Sequence, residues 1–308
     1  MTAPVIFLVF NRPALTKRVF ERIRTARPPQ LFVVADGPRI DRIGEAEKCA
    51  EVRRLIEEGI DWPCELVRDY SEINLGCGKR VSSGITNAFR RVEEAIILED
   101  DCLPDPSFFR FCEELLMRYR NDPMIGMISG SHHQTELRYG KDSYYFCRYG
   151  NIWGWATWRR AWQYFDYEMT EWRDWKGGSR LHHLLPKREV REFWRAIWDE
   201  TFEGKHDSWD YQWTFCYMQR GLLGVLPQIA LIENIGFGKD ATHTVGSEKL
   251  GPEAGVMPFP LVHPSGIKPD YEAEARASAR FFSRPTLVKR LVNKLGRIVG
   301  RFSAELRR

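Results

Sequence analysis

Ala95-Ile96-Ile97-Leu98-Glu99-Asp100-Asp101 sets four apolar residues directly against three consecutive carboxylates. A short apolar run without alternation reads as a strand buried on both faces, the kind found inside a parallel α/β sheet. Open α/β sheets bind ligands in the crevice beyond the carboxyl ends of their strands. A row of acids there repels itself unless a cation or a proton relieves it, so a divalent metal carrying a diphosphate suits the position. The competing reading is that Asp100, Asp101 and Asp105 merely open the next helix, because Asp105-Pro106 has the form of an N-cap followed by proline at the first helical position.

Working outward, Val5-Ile6-Phe7-Leu8-Val9-Phe10 is a second buried run, ending in Asn11-Arg12-Pro13, and Leu31-Phe32-Val33-Val34-Ala35 closes on Asp36-Gly37-Pro38. Between them Leu15, Val19 and Ile23 recur at helical spacing, and Pro28-Pro29 stops that helix. Strand, helix, strand predicts a βαβ unit with parallel strands and a right-handed crossover. Residues 45–58 read as a charged, exposed helix, Glu65-Leu66-Val67 as a short strand, and Val81, Ile85 and Phe89 as the face of a helix that feeds the acid-tipped strand. Gly76-Cys77-Gly78-Lys79-Arg80 opens that helix, where backbone N–H groups and the Lys79 and Arg80 cations suit a phosphate. The same turn reads equally as an ordinary helix entry, since it matches neither the dinucleotide fingerprint nor the P-loop.

The second half changes character. Residues 144–162 run YYFCRYGNIWGWATWRRAW, and the spacing predicts Trp155, Trp158 and Trp162 on one face of a helix, as core. Trp153 beside Gly154 reads as a pocket wall, because a glycine lets a ligand approach the backbone. His206-Asp207-Ser208-Trp209-Asp210-Tyr211-Gln212-Trp213 puts two acids among aromatics at the start of an apolar helix. Asp207 reads as its cap, and Asp210 as either a hydrogen-bonded structural acid or a general base. Residues 227–244, PQIALIENIGFGKDATHT, read as a strand breaking into a loop that ends at Thr242-His243-Thr244, a lid or phosphate clamp.

With 308 residues, 43% apolar and 13% aromatic, the chain can bury a full core in one large α/β domain or two closely joined ones. No run of about 18 apolar residues occurs, and the first residues lack the charged n-region and cleavage site of a signal peptide, which predicts a cytoplasmic protein. Cys49, Cys64, Cys77, Cys102, Cys112, Cys147 and Cys216 form no CxxC pair, as expected of reduced thiols rather than a disulfide frame or zinc site. The 7 histidines form no ligand-spaced cluster with the acids, which argues against a metal-dependent phosphoesterase.

The net charge of +4 hides an asymmetry: Arg276 to Arg308 carries ten Lys or Arg against Glu305, a net of +9, and the remaining 36 bases and 41 acids leave −5. No groove-reading motif or stacking array accompanies these bases, so nucleic acid is not an expected partner. A Pro- and Gly-rich connector, residues 251–275, leads into this tail, residues 276–308. Within it Leu287, Leu291, Leu295, Ile298 and Phe302 form one stripe, opposite Lys289, Arg290, Lys294, Arg297 and Arg301. This predicts a basic amphipathic helix, either packed on the body or lying in the surface of an anionic membrane. Gly296 and Gly300 weaken it as a free helix, so it needs a partner surface. Membrane attachment, on the inner face of the plasma membrane, is the expectation.

LEDDCLPDPSFFRF (98–111), RYGNIWGWATWRRAW (148–162), SWDYQW (208–213) and ENIGFGKDATHT (233–244) follow one another in an order that resembles the N-acetylglucosaminyltransferase I branch of the GT-A glycosyltransferases, including bacterial nucleotide-diphospho-sugar transferases, over roughly residues 3–245. The resemblance implies a single Rossmann-like nucleotide-sugar-binding sandwich over residues 1–250, with a donor half to about 135 and an acceptor half from about 136. It implies that Asp101 binds Mn²⁺ or Mg²⁺ and that Asp210 is the base, with Asp207 as the other acid of that segment. Arg12 and Asp36, with Asn11 nearby, would face the nucleoside. Glu99 and Asp100 would orient ribose or sugar hydroxyls, and Lys79, Arg80, Trp153, Gly154, Thr242 and His243 would complete the donor site. The implied activity is metal-dependent, inverting transfer of a sugar from a nucleotide sugar, UDP-sugar first, to a glycan or lipid-linked acceptor of the cell envelope. A sugar-1-phosphate nucleotidyltransferase would instead carry a Gly-rich basic loop after its first strand, which Asn11-Arg12-Pro13-Ala14 is not. A non-catalytic sugar-binding relative stays open at this point.

Overall fold

The computed structural model describes residues 2–134, 139–237 and 252–282. Thr242, His243 and the amphipathic stripe from Leu287 onward lie outside the described residues. Ten strands and ten helices alternate among the described residues. The first unit is β1 (Val5–Val9), α1 (Pro13–Ala26) and β2 (Gln30–Ala35), followed by α2 (Glu45–Gly59), β3 (Glu65–Tyr70), α3 (Cys77–Phe89) and β4 (Glu94–Glu99). After β4 come β5 (Cys102–Pro104), α4 (Pro106–Tyr119), β6 (Ile125–Ser129), β7 (Tyr144–Cys147) and β8 (Trp155–Trp158). Four helices follow: α5 (Arg159–Trp162), α6 (Trp172–Trp175), α7 (Ser179–Leu184) and α8 (Arg188–Phe202). The remainder is α9 (Asp210–Gln219), β9 (Leu223–Pro227), β10 (Ile232–Asn234) and α10 (Tyr271–Phe281).

Eight strands make one sheet in the order β3-β2-β1-β4-β8-β6-β9-β7, and β10 pairs with β5 in a separate ribbon. β1, β2, β3 and β4 run parallel, as the βαβ reading requires, whereas β8 joins β4 antiparallel. The unbroken apolar runs follow from burial on both sides. Ile6, Leu8, Ala95 and Ile97 pack into the layer of α3 and α9, while Val5, Phe7, Ile96 and Leu98 pack into the layer of α1, α2 and α4. The exposed helix expected over 45–58 is half sunk, with Cys49, Val52 and Ile56 buried along one face. All seven cysteines are free thiols.

The tryptophan block corrects the helical expectation. Trp155 to Trp158 is strand β8, and only Arg159–Trp162 is helical. Because strand side chains alternate faces, Trp155 joins Trp162 in one core layer and Trp158 enters the opposite one. The 3.6-residue spacing was coincidental. The expected boundary at residue 276 also falls inside α10, which is docked on the body: Asp270 caps it, and buried Glu274 pairs with Arg148 at 2.5 Å. The Pro- and Gly-rich connector is not free chain either, since Met257 and Leu261 are buried and Ser143 exchanges hydrogen bonds with Val262.

If Trp155 and Trp158 serve opposite layers, Trp155→Phe and Trp158→Phe should each cost about 0.5–3 kcal/mol. Urea unfolding of the double variant should then show additivity within about 0.5 kcal/mol. Strong coupling would mean that the two rings share one face.

Candidate functional site

The chain leaves β1 toward β2 and β3 on one side, then returns to β4 on the other. Such a reversal of strand order marks the place, beyond the carboxyl ends of β1 and β4, where open α/β sheets bind ligands. Leu8 pairs with Glu99, so the segment after β1 lies beside the acidic triplet. Pro13 starts α1 immediately after Arg12, which leaves the Arg12 side chain at the helix mouth, free to reach across. Its guanidinium forks onto buried Asp100, with Nε 3.2 Å from Oδ2 and a short contact from its terminal nitrogen to Oδ1. Its other terminal nitrogen lies 3.0 Å from Asp101 Oδ2. Asp100 therefore anchors Arg12 rather than offering an acceptor to a sugar hydroxyl. Asp105, by contrast, does cap α4, accepting from the Ser107 N–H at 2.9 Å.

The acids are under-compensated. Burial pushes the Glu99 carboxyl up to about 8, and Asp101, Asp100 and Asp210 add like charge against the opposing pull of Arg12. Burial also raises Asp100, although Arg12 resists this. Among the described residues no group of three or more His, Cys, Asp or Glu side chains forms a preformed metal cage. A site of a different kind fits the residues present. Asp101 sits at the mouth, with a side chain 16% exposed and one oxygen shared with Arg12. A hard divalent cation that brings its remaining oxygens on a diphosphate needs little more from the protein, and the excess negative charge favours it.

Asp210 arrives from the far half of the sequence at the start of α9, close enough to Glu99 to raise it. Its Oδ1 accepts a short hydrogen bond from the Ser208 hydroxyl. Trp209, buried between them, stacks on Trp155 at 5.6 Å and 19°, which fixes the segment against β8. The expected cap role of Asp207 is corrected in its target: it caps α3, not α9, accepting from the Cys77 and Gly78 N–H groups at 3.0 and 2.9 Å. The anion at the Gly76-Cys77-Gly78 turn is thus the protein's own carboxylate, not a phosphate. Arg80 is buried and pairs with Asp69 at 2.6 Å, which turns it into the fold, while Lys79 is exposed.

Asp36 is buried, and its two oxygens accept from the N–H groups of Gly37, Leu75 and Gly76 and from Asn74 Nδ2, at 2.9–3.1 Å. It shapes the loop beside the crevice, with its lone pairs already engaged by the chain. Asn11 donates to Glu45 at 2.8 Å. Gly154 has φ +59°, and a Cβ there would overlap Ile232, so the close approach it permits is taken by the core. Trp153 is half-buried and contacts His133 at 4.8 Å and Phe237 at 5.9 Å, forming an aromatic wall. Gly236, missed in the sequence, lies against Asp101: a Cβ there would overlap Asp101 Oδ2, and the Ile235 N–H donates to Asp101 O at 2.8 Å. Only the glycine in Glu233-Asn234-Ile235-Gly236 hinted at such an approach.

No protein-family model matches the chain, and no curated protein sequence matches it. Solved structures show remote likenesses. The mannosyltransferase PcManGT from Pyrobaculum calidifontis, in complex with GDP-Man and Mn²⁺, is 15% identical over 70% of this chain and 69% of that one, at a TM-score of 0.37. Apo UDP-glucose pyrophosphorylase is 10% identical over 74% and 90%, at 0.38. S. aureus TarS is 12% identical over 42% of this chain at 0.28, and the chain spans only 21% of its length. Likenesses at these scores assign neither family nor activity.

The acid cluster makes stability depend on pH. A carboxyl held above its unfolded value binds its proton more tightly in the folded state, so it favours folding at low pH and loses that favour as pH rises toward the folded value. For Glu99 the window runs from 4.5 to about 8. Melting temperature in EDTA should fall across that window, and Mn²⁺ should restore it at the alkaline end. A Glu99→Gln variant should show a shallower fall. An identical slope in the variant would place the charge strain elsewhere.

Proposed function

We propose that the chain is a metal-dependent, inverting glycosyltransferase of GT-A type that moves a sugar from a nucleoside-diphosphate donor, UDP-sugar first, to a glycan or lipid-linked acceptor hydroxyl. The observation that carries this reading is that Trp209 stacks on Trp155, which pairs with Ile97 on β4, so that Asp210 from one half of the chain is carried toward the Glu99-Asp100-Asp101 strand tip from the other. The site then holds a partly exposed carboxylate for a cation, a guanidinium for phosphate and a second carboxylate positioned as a base.

The acceptor hydroxyl attacks the anomeric carbon as its proton passes to the Asp210 carboxylate; the new C–O bond forms while the bond to the diphosphate oxygen breaks, releasing the nucleoside diphosphate. Ser208 holds one Asp210 oxygen, leaving the other to take that proton. Arg12, fixed by Asp100, sets positive charge beside the departing diphosphate. When bound through Asp101, Mn²⁺ or Mg²⁺ supplies further neutralisation there. Asn11 and the loop shaped by Asp36 border the nucleoside, Lys79 stands exposed at the start of α3, and Trp153 offers an apolar face to a sugar ring. Asn11-Arg12-Pro13-Ala14 after β1 is not the basic glycine loop expected of a nucleotidyltransferase.

A thermal-shift and hydrolysis screen over UDP-, GDP- and dTDP-sugars, with and without Mn²⁺, tests the class. The active donor should require the cation. Asp101→Ala should abolish turnover without unfolding the protein, and Asp210→Asn should keep donor binding but lose about 10²–10⁴-fold in kcat. Unchanged activity in EDTA would contradict the role of Asp101, and full transfer by Asp210→Asn would contradict that of the base.

The basic tail would carry this activity to an anionic membrane and its lipid-linked or envelope glycan, each cation near the bilayer contributing about 1 kcal/mol. Among the described residues no helix is long and apolar enough to cross a membrane. In liposome flotation the full chain should bind anionic vesicles and be released by high salt, while a chain ending at Ser283 should not bind. Equal behaviour of the two would favour a tail packed on the body.

A further inference from the structure

We propose that Asp207 is a positioning residue that pins the first turn of α9, and with it the Asp210 carboxylate, to the N-terminus of α3. The inference rests on the assignment of Asp210 as the base. α9 begins at Asp210 with no side-chain cap of its own, because Trp209 occupies the capping position. The acid two residues earlier turns away and satisfies two first-turn N–H groups of α3 instead, at 3.0 and 2.9 Å. A helix N-terminus favours such an anion through its exposed donors and dipole.

The approach is close enough to require glycines on the α3 side. Gly76 has φ +82°, and a Cβ there would lie 2.7 Å from Asp207 Oδ2; one on Gly78 would lie 2.7 Å from Ser208 O and 2.8 Å from the Tyr167 hydroxyl. The four residues from Asp207 to Asp210 are therefore held at three points. Asp207 fixes the segment to α3, Trp209 stacks on Trp155, and the Ser208 hydroxyl fixes an oxygen of Asp210. α3 follows the loop shaped by Asp36, and α9 carries the base. The clamp thus ties the base to the loop bordering the nucleoside. Misplacing a reacting group by about 1 Å costs on the order of 10²-fold in rate, so a contact that touches no substrate can govern turnover.

Two measurements on the full chain test this. In the first, hydrogen exchange is read over residues 208–213 in wild type, Asp207→Asn and Asp207→Ala. Asn keeps one acceptor oxygen, so exchange at the start of α9 should rise in both variants, less in Asn than in Ala. Should Ala fail to fold, the Asn comparison carries the result. Unchanged exchange overturns the proposal.

In the second, UDP release from UDP-N-acetylglucosamine with Mn²⁺ is measured in a double-mutant cycle. Asp207→Asn should lower kcat by about 10–100-fold, with donor KM within about twofold. In an Asp210→Asn background the same change should cost less than about twofold, because residues acting as one unit are not additive. Equal loss in both backgrounds overturns the proposal and makes Asp207 an independent structural cap. Full turnover by Asp210→Asn alone is a different failure: it removes the base from the functional reading, and this inference falls with it.

Discussion

Arg12 lies between two carboxylates that follow one another at the tip of β4, and the arrangement of the crevice depends on that pairing. Two unit charges 4 Å apart near a protein surface interact by about 4 kcal/mol at an effective dielectric of 20, so the guanidinium's place is strongly set. It spends its fork on Asp100 and one nitrogen on Asp101. Burial raises the proton affinity of Glu99, and the neighbouring Asp101, Asp100 and Asp210 add to the rise. A site that is over-supplied with acids yet held by one fixed cation is preset for a ligand that is itself a cation–diphosphate pair. Under the proposed function the diphosphate would meet Arg12 and the cation would meet Asp101.

Asp210, the proposed base, reaches this place through packing rather than charge. Trp155, put on β8 by strand periodicity, offers a flat surface to Trp209, and that stack delivers the residue after it to the strand tip. Asp207 and the glycines of the α3 turn close the segment from the other side. Apolar stacking against the sheet and a carboxylate on a helix terminus together hold the Asp210 side chain's segment beside the acidic strand tip.

How much of this was legible in the sequence differs by the kind of signal. The buried strands showed as unbroken apolar runs, and the acid tip showed because three charges end one of those runs without a break. Arg12 was singled out through the resemblance, as facing the nucleoside, whereas its fork onto Asp100 shows only in the fold. The tryptophan block misled because residues three apart satisfy a helix and, over so short a run, do not exclude a strand. Asp36 and Arg80 were read as partners for a ligand, and Asp207 as the cap of its own helix, but each is engaged by a distant segment of the chain. A side chain's polarity shows in sequence, whereas the donor or acceptor that engages it from a distant segment does not. Gly236 and the α3–α9 junction depend on contacts across the fold and left only isolated glycines as a trace.

The central claim is that the cluster binds a cation and a diphosphate together. A crystal grown with Mn²⁺ and UDP and measured at the manganese absorption edge tests it directly. An anomalous peak should lie within coordinating distance of an Asp101 oxygen, with the diphosphate bridging it toward Arg12. Diphosphate bound with no manganese at Asp101, or manganese bound away from the strand tips, would contradict it.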